Sequence, residues 1–208
     1  MVATVYGKPY YTIINALKSL GLQFDSVSPE EAASINSPLV ITTEQEMNLV
    51  GKKNMLLDSE LDEEPALVKA KILRSITGIY QDDQLVIGID PGSRIGIAVF
   101  YLQKEIESQV VTSVRKSIHL ISALLDGVES RKKIVRVGYG DRVMANQIAS
   151  KLYERFGNQI IIELVNEHGT SAVRTMDTNR RGMRDKLSAR TIALRNGKPF
   201  RPFTSIHR

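Results

Sequence analysis

Cysteine is absent from the 208 residues. Disulfides, thiolate catalysis and Cys-ligated zinc are therefore excluded, and a cytoplasmic location is expected. Long apolar runs are missing too. The strongest, such as "QIIIELV", fall far short of the ~20 residues a membrane helix needs, so no membrane association is expected. The start "MVATVYGKPYY" shows neither a basic stretch before an apolar core nor an Arg-rich amphipathic pattern, so no export or transit signal is expected. Histidine is scarce, at 3 residues. No internal repeat or low-complexity segment stands out.

What the chain does have is positive charge, unevenly placed. The formal net charge is +5. Residues 1–78 carry 7 Lys/Arg against 10 Asp/Glu, and residues 79–208 carry 21 against 13. Within that second part, residues 174–208 hold 10 basic and 2 acidic side chains. A basic face is the footprint of a polyphosphate partner, although charge alone fits an ordinary solvated surface equally well.

The pattern of apolar residues divides the chain near residue 80. Residues 1–80 alternate short strands ("ATVYG", "FDSVS", "SPLVITT", "KNMLLD") with helices, which predicts a small α/β domain with a parallel sheet. Ser28, Pro29 and Glu31 form a helix start, and Gly21 a helix stop. Pro65 opens a helix that Gly78 closes. Residues 81–208 change order: "QLVIGID", "IGIAVFYL" and "EIESQVVTSV" read as an antiparallel meander. Helix, strand, helix, strand and helix follow. The expected order is β-β-β-α-β-α-β-α, with a mixed five-stranded sheet.

Three of these strands end at or beside a carboxylate: Asp90 after "VIGI", Asp141 after "VRVGYG" and Glu167 after "IIELVN". Asp185 lies early in the last helix. Sites in open α/β sheets form beyond the carboxyl ends of strands. Clustered carboxylates repel unless a divalent cation relieves them, and oxygen ligands suit Mg²⁺ or Mn²⁺. Two such ions can activate a water and stabilise a leaving oxygen in phosphodiester cleavage. In "VIGIDPGSRIGIAV", Gly92 would ease the turn, and Gly88 or Gly96 would admit a close backbone or nucleic acid strand. Plainer readings exist for each. Asp-Pro-Gly is a common turn, Asp141 fits the cap of a following helix, Glu163 fits a structural mid-strand role, and His168 fits a surface position.

Taken together, "GIDPGSRIGIAV" and the β-β-β-α-β-α-β-α order resemble the RuvC/YqgF branch of the ribonuclease H-like superfamily. RuvC-type Holliday junction resolvases carry a similar Asp-Pro-Gly on their first strand, and Asp141 stands where they place a glutamate. "LVNEHGTSAVR" is similar to the YqgF acidic motif, with Glu167 at the acidic position and Thr170 and Ser171 at the hydroxyl positions. Asp185 matches the aspartate that opens the last helix of both groups. The resemblance covers residues 82–197. It implies an RNase H-like fold and a two-metal-ion endonuclease acting on structured or branched DNA or RNA, with Asp90, Asp141, Glu167 and Asp185 as catalytic and metal-binding residues. Ser188 stands where RuvC resolvases have a second helical acid.

Arg174, Arg180, Arg181 and Arg184 precede Asp185 and are the candidate nucleic-acid contacts, because guanidinium forks bind phosphate bidentately. Phe200 and Phe203 fit either base stacking or a tail anchored in a groove. Two-fold junction substrates favour a homodimer. The rival reading is a catalytically inactive RNase H-like module that binds nucleic acid or protein. A sugar or acetate-type kinase of the actin-like fold is the third, with little room in this length for its second nucleotide-binding domain.

Overall fold

The computed structural model describes residues 1–61, 64–77, 83–166 and 181–202, with the main chain alone at Arg181. The chain forms two compact units, Met1–Tyr80 and Gln81–Arg208. Among the described residues no helix is long and apolar enough to cross a membrane.

The first unit contains β1 (Val2–Ala3), α1 (Gly7–Ser19), β2 (Ser26–Val27), α2 (Pro29–Ser34), β3 (Val40–Thr42), α3 (Met47–Val50), β4 (Met55–Leu57), a 3₁₀ turn (Asp58–Leu61) and α4 (Pro65–Thr77). The strands form a parallel sheet in the order β2-β1-β3-β4. Alternation within these short strands splits the core in two. Val2 and Ile41 pack with Ile13 and Leu17 of α1 and Val68 and Ile72 of α4. Ala3 and Val40 pack with Ala32 of α2 and Val50 of α3. The sheet is thus covered on both faces, as a parallel sheet requires. The expected helix start at Ser28 is a complete capping box. The Glu31 N–H donates to Ser28 Oγ at 3.2 Å, and the Ser28 N–H donates to Glu31 Oε2 at 3.0 Å.

The second unit contains β5 (Gln84–Asp90), β6 (Ile95–Tyr101), β7 (Lys104–Val111), α5 (Val114–Gly127), β8 (Lys132–Gly138), α6 (Arg142–Phe156), a 3₁₀ turn (Gly157–Gln159), β9 (Ile161–Val165), α7 (Arg181–Leu194) and β10 (Lys198–Pro199). Its sheet runs β10-β9-β8-β5-β6-β7. β5, β6 and β7 are antiparallel neighbours, while β8 and β9 run parallel to β5. Leu102 and Gln103 both have positive φ, at 47° and 64°, and form the two-residue turn between β6 and β7.

Among the described residues the sheet has six strands rather than five. Lys198 and Pro199 add to the edge of β9, antiparallel to Leu164 and Glu163. A two-residue strand is too short to show alternation in sequence, and Pro199 is tolerated because the strand is at the edge. Just beyond it, the Phe200 N–H donates to the Ile162 carbonyl at 2.9 Å. The Phe200 ring meets Tyr153 edge-on, with centroids 6.4 Å apart. Phe200 thus anchors the tail against α6; Phe203 lies outside the described residues.

Glu163 has the structural role suggested by its mid-strand position. Its Oε2 accepts from Arg136 Nε at 2.8 Å on the neighbouring strand. Arg136 also donates to the Ala193 carbonyl at 2.6 Å and to Asn196 Oδ1 at 2.8 Å, closing the last turn of α7 against the sheet.

Candidate functional site

The parallel register of β5, β8 and β9 brings their carboxyl ends to one edge. Ile89 lies beside Val137, and Gly138 beside Val165. Asp90 is the last residue of β5 and pairs across the hairpin with Gly96 of β6. Side chains alternate along strands, so Gly88, Asp90, Gly96 and Ala98 share one face.

That face is covered by α7, and the two glycines are the reason it fits. A Cβ at Gly88 would stand 2.2 Å from the Ala189 carbonyl oxygen and 2.5 Å from the Ala193 nitrogen. A Cβ at Gly96 would stand 2.1 Å from the Asp185 carbonyl oxygen. The helix backbone therefore rests directly on the strands. Asp185, Ala189 and Ala193 are spaced by four and form one stripe of α7, so the acid belongs to the sheet-facing side of the helix. Its main chain lies on Gly96, the cross-strand partner of Asp90. The close neighbour that the sequence left open is the protein's own last helix. Gly92, expected to ease the turn, is not held in a left-handed conformation, and a Cβ there would lie 3.4 Å from the Arg94 carbonyl oxygen, at the edge of ordinary contact.

The electrostatics of this corner involve a residue that sequence reasoning passed over. Arg94, at the end of the β5–β6 turn, places Nε 3.3 Å from Asp185 Oδ2. Asp185 Oδ2 is buried and accepts no hydrogen bond; the guanidinium is near enough for an ion pair but out of line for a bond. Arg94 Nη2 also fills the space that a Cβ at Gly182 would need, at 2.7 Å. The available signal was a cation in the turn that follows the candidate acid, and nothing in sequence pairs it with residue 185.

Asp141 lies elsewhere in its bonding. It is exposed and caps α6, accepting from the Met144 N–H at 3.0 Å through Oδ1. This matches the plainer of its two readings. Beside it, Arg142 stacks over the Tyr139 ring at 5.5 Å. A test separates the two roles. Asp141→Ala should cost about 1 kcal/mol of stability, the usual worth of a cap, while Asp141→Ser keeps the cap and the stability. Cleavage retained by Asp141→Ser in a nuclease assay would exclude Asp141 from the metal site.

Glu167, His168, Thr170, Ser171, Arg174 and Arg180 lie outside the described residues. Arg181 begins α7, and Arg184 is exposed in its first turn. Arg190 is engaged structurally, its Nε donating to Glu105 Oε1 at 2.7 Å and tying α7 to β7. Among the described residues no three acidic or histidine side chains are grouped to hold a metal ion. What the described residues offer is Asp90 at the end of β5, the Asp185 main chain against its cross-strand partner Gly96, and one buried Asp185 carboxylate oxygen that has no hydrogen-bond donor. Such an oxygen suits a hard divalent cation. No protein-family model matches this chain, and no curated protein matches it.

Proposed function

We propose that residues 81–208 form an RNase H-like nuclease domain of RuvC/YqgF type, which uses Mg²⁺ or Mn²⁺ to cleave phosphodiesters in structured or branched nucleic acid. The observation that carries this reading is the seating of Asp185 on Gly96 beside Asp90. That seating sets two acidic residues distant in sequence near the carboxyl edge of the sheet in their main chain, which supports a site there. The β-β-β-α-β-α-β-α order supports the same reading.

Asp90 and Asp185 would hold the metal, with Glu167 and Asp141 as further candidate ligands. A bound ion would activate water and stabilise the leaving oxygen. The residues of the chain do the rest. α7 fixes Asp185 against the sheet, and β5 ends rigidly at Asp90. Arg184, with Arg174, Arg180 and Arg181, would grip the backbone phosphates and so position the strand without reading its sequence. Incubation with junction, hairpin and plain duplex substrates tests this. Cleavage of a branched or structured substrate that needs Mg²⁺ or Mn²⁺ and stops with chelator is expected. Absence of cleavage across DNA and RNA versions of the panel contradicts it.

Two observations favour the second reading, an inactive binding module of the same fold. Asp141 is committed to a helix cap, and Ser188 replaces an acid of the RuvC pattern. That reading predicts steeply salt-dependent binding that survives Asp90→Asn, without cleavage by either form.

A further inference from the structure

We propose that Arg94 is the resident counter-ion of the candidate metal site: it neutralises Asp185 when no metal is bound and is displaced when a divalent cation enters. This deepens the nuclease reading and rests on its assumption that Asp90 and Asp185 hold a cation. Three observations carry it. The first is the ion pair itself, Arg94 Nε to Asp185 Oδ2 at 3.3 Å. The second is that this same oxygen is buried and receives no hydrogen bond, so the pair is charge compensation without directional bonding. The third is the contact with Gly182, where Arg94 Nη2 occupies the space of a missing Cβ. The first turn of α7 is thereby shaped to admit the guanidinium.

The physics makes the arrangement reversible. A buried carboxylate oxygen without a donor is costly and needs a positive charge beside it. A permanent structural partner would normally be bonded in line, as each of the three guanidinium nitrogens of Arg136 is to its own acceptor. Arg94 is instead 44% exposed at its side chain, so solvent already competes for it. A divalent cation between Asp90 and Asp185 delivers two charges to the same oxygen. The guanidinium, repelled by the ion, would leave Asp185 and remain on the turn beside it, where phosphate oxygens of a substrate would lie. Arg94 thus sets a threshold for metal entry, and Gly182 keeps the space it needs.

The experiment is a calorimetric titration of the full-length protein with Mn²⁺ alone, with no nucleic acid present. Arg94→Gln removes the competing charge while keeping a polar side chain in an exposed turn. It should tighten Mn²⁺ binding by roughly three- to tenfold, the scale of a partly exposed ion pair. Arg94→Lys retains a charge, and its affinity should stay within about twofold of the parent. Asp185→Asn in either background should abolish the difference. Mn²⁺ binding that is unchanged or weaker in Arg94→Gln, with circular dichroism like the parent, overturns the proposal and leaves the metal reading intact. Failure of parent and Arg94→Gln alike to bind Mn²⁺ overturns both. Should Arg94→Gln fail to fold, Arg94→Lys and Gly182→Ala decide. Gly182→Ala crowds the guanidinium out of its place and should also tighten Mn²⁺, and no tightening there contradicts the proposal.

Discussion

Gly96→Ala is expected to destabilise the second unit by about 2–3 kcal/mol and to loosen the first turns of α7. The new methyl group would stand 2.1 Å from the Asp185 carbonyl oxygen. That atom belongs to a helix backbone, so no rotamer change can relieve the clash. The helix must move outward, and its packing over Ala189 and Ala193 loosens. Overpacking of this kind costs about 1–3 kcal/mol and sometimes more. Gly88→Ala meets the Ala193 backbone nitrogen and Ala189 carbonyl, and should behave alike. Gly92→Ala is the control: its Cβ has 3.4 Å to the nearest atom and a backbone that accepts alanine, so its effect should be within about 0.5 kcal/mol. Urea denaturation followed by far-UV circular dichroism reports the stabilities. Hydrogen exchange at the amides of α7 reports the local loosening. Equal stability of Gly96→Ala and Gly92→Ala, with unchanged exchange, would refute the close seating of α7.

On the proposed nuclease reading, in which Asp90 and Asp185 share a metal ion, Asp90→Asn and Asp185→Asn should each reduce cleavage by about a thousandfold or more. Removing one carboxylate from a shared metal site removes part of the charge that holds the ion. Metal stabilisation of a phosphodiester transition state is worth several kcal/mol, and each 1.36 kcal/mol is tenfold in rate. The two variants differ in stability. Asp185→Asn replaces a part-buried carboxylate, one oxygen of which is buried without a hydrogen bond, and the fold should hold to within about 1 kcal/mol, the scale of the lost ion pair with Arg94. Neither carboxylate appears as a helix cap, so the lost rate cannot be assigned to a lost cap, as it could be for Asp141. Single-turnover rates at saturating protein, with binding measured separately in Ca²⁺, distinguish lost chemistry from lost affinity. Cleavage within tenfold of the parent in either variant would remove that carboxylate from the site.

The extent to which this was legible in sequence is clearest at the two glycines. Gly88 and Gly96 bracket a turn, and their lack of a side chain signals a close neighbour without naming it. Only the pairing of β5 with β6 and the path of α7 identify that neighbour as a helix backbone. Asp185, flanked by Arg184 and Lys186, reads as a surface acid when taken alone. Its spacing to Ala189 and Ala193 was the readable clue that it lies on the packed stripe. The meander "QLVIGID", "IGIAVFYL" and "EIESQVVTSV" was legible because three apolar strands follow one another with short turns. The capping box at Ser28 was legible because the bonds are local. The ion pair of Arg94 with Asp185 was not, because nothing local joins a turn residue to a helix so far along the chain. The sixth strand was not, because two residues carry no period. Asp141 allowed both a cap and a ligand, and the hydrogen bond from Met144 supports the cap.

The account depends on Asp90 and Asp185 sharing one cation. Anomalous diffraction from crystals grown with Mn²⁺ measures this directly. The prediction is a peak at the carboxyl end of β5, about 2.1 Å from a carboxylate oxygen of each residue, with the Arg94 side chain moved off Asp185. A map in which the manganese lies elsewhere, or in which these oxygens stand too far apart for one ion to touch both, would contradict it.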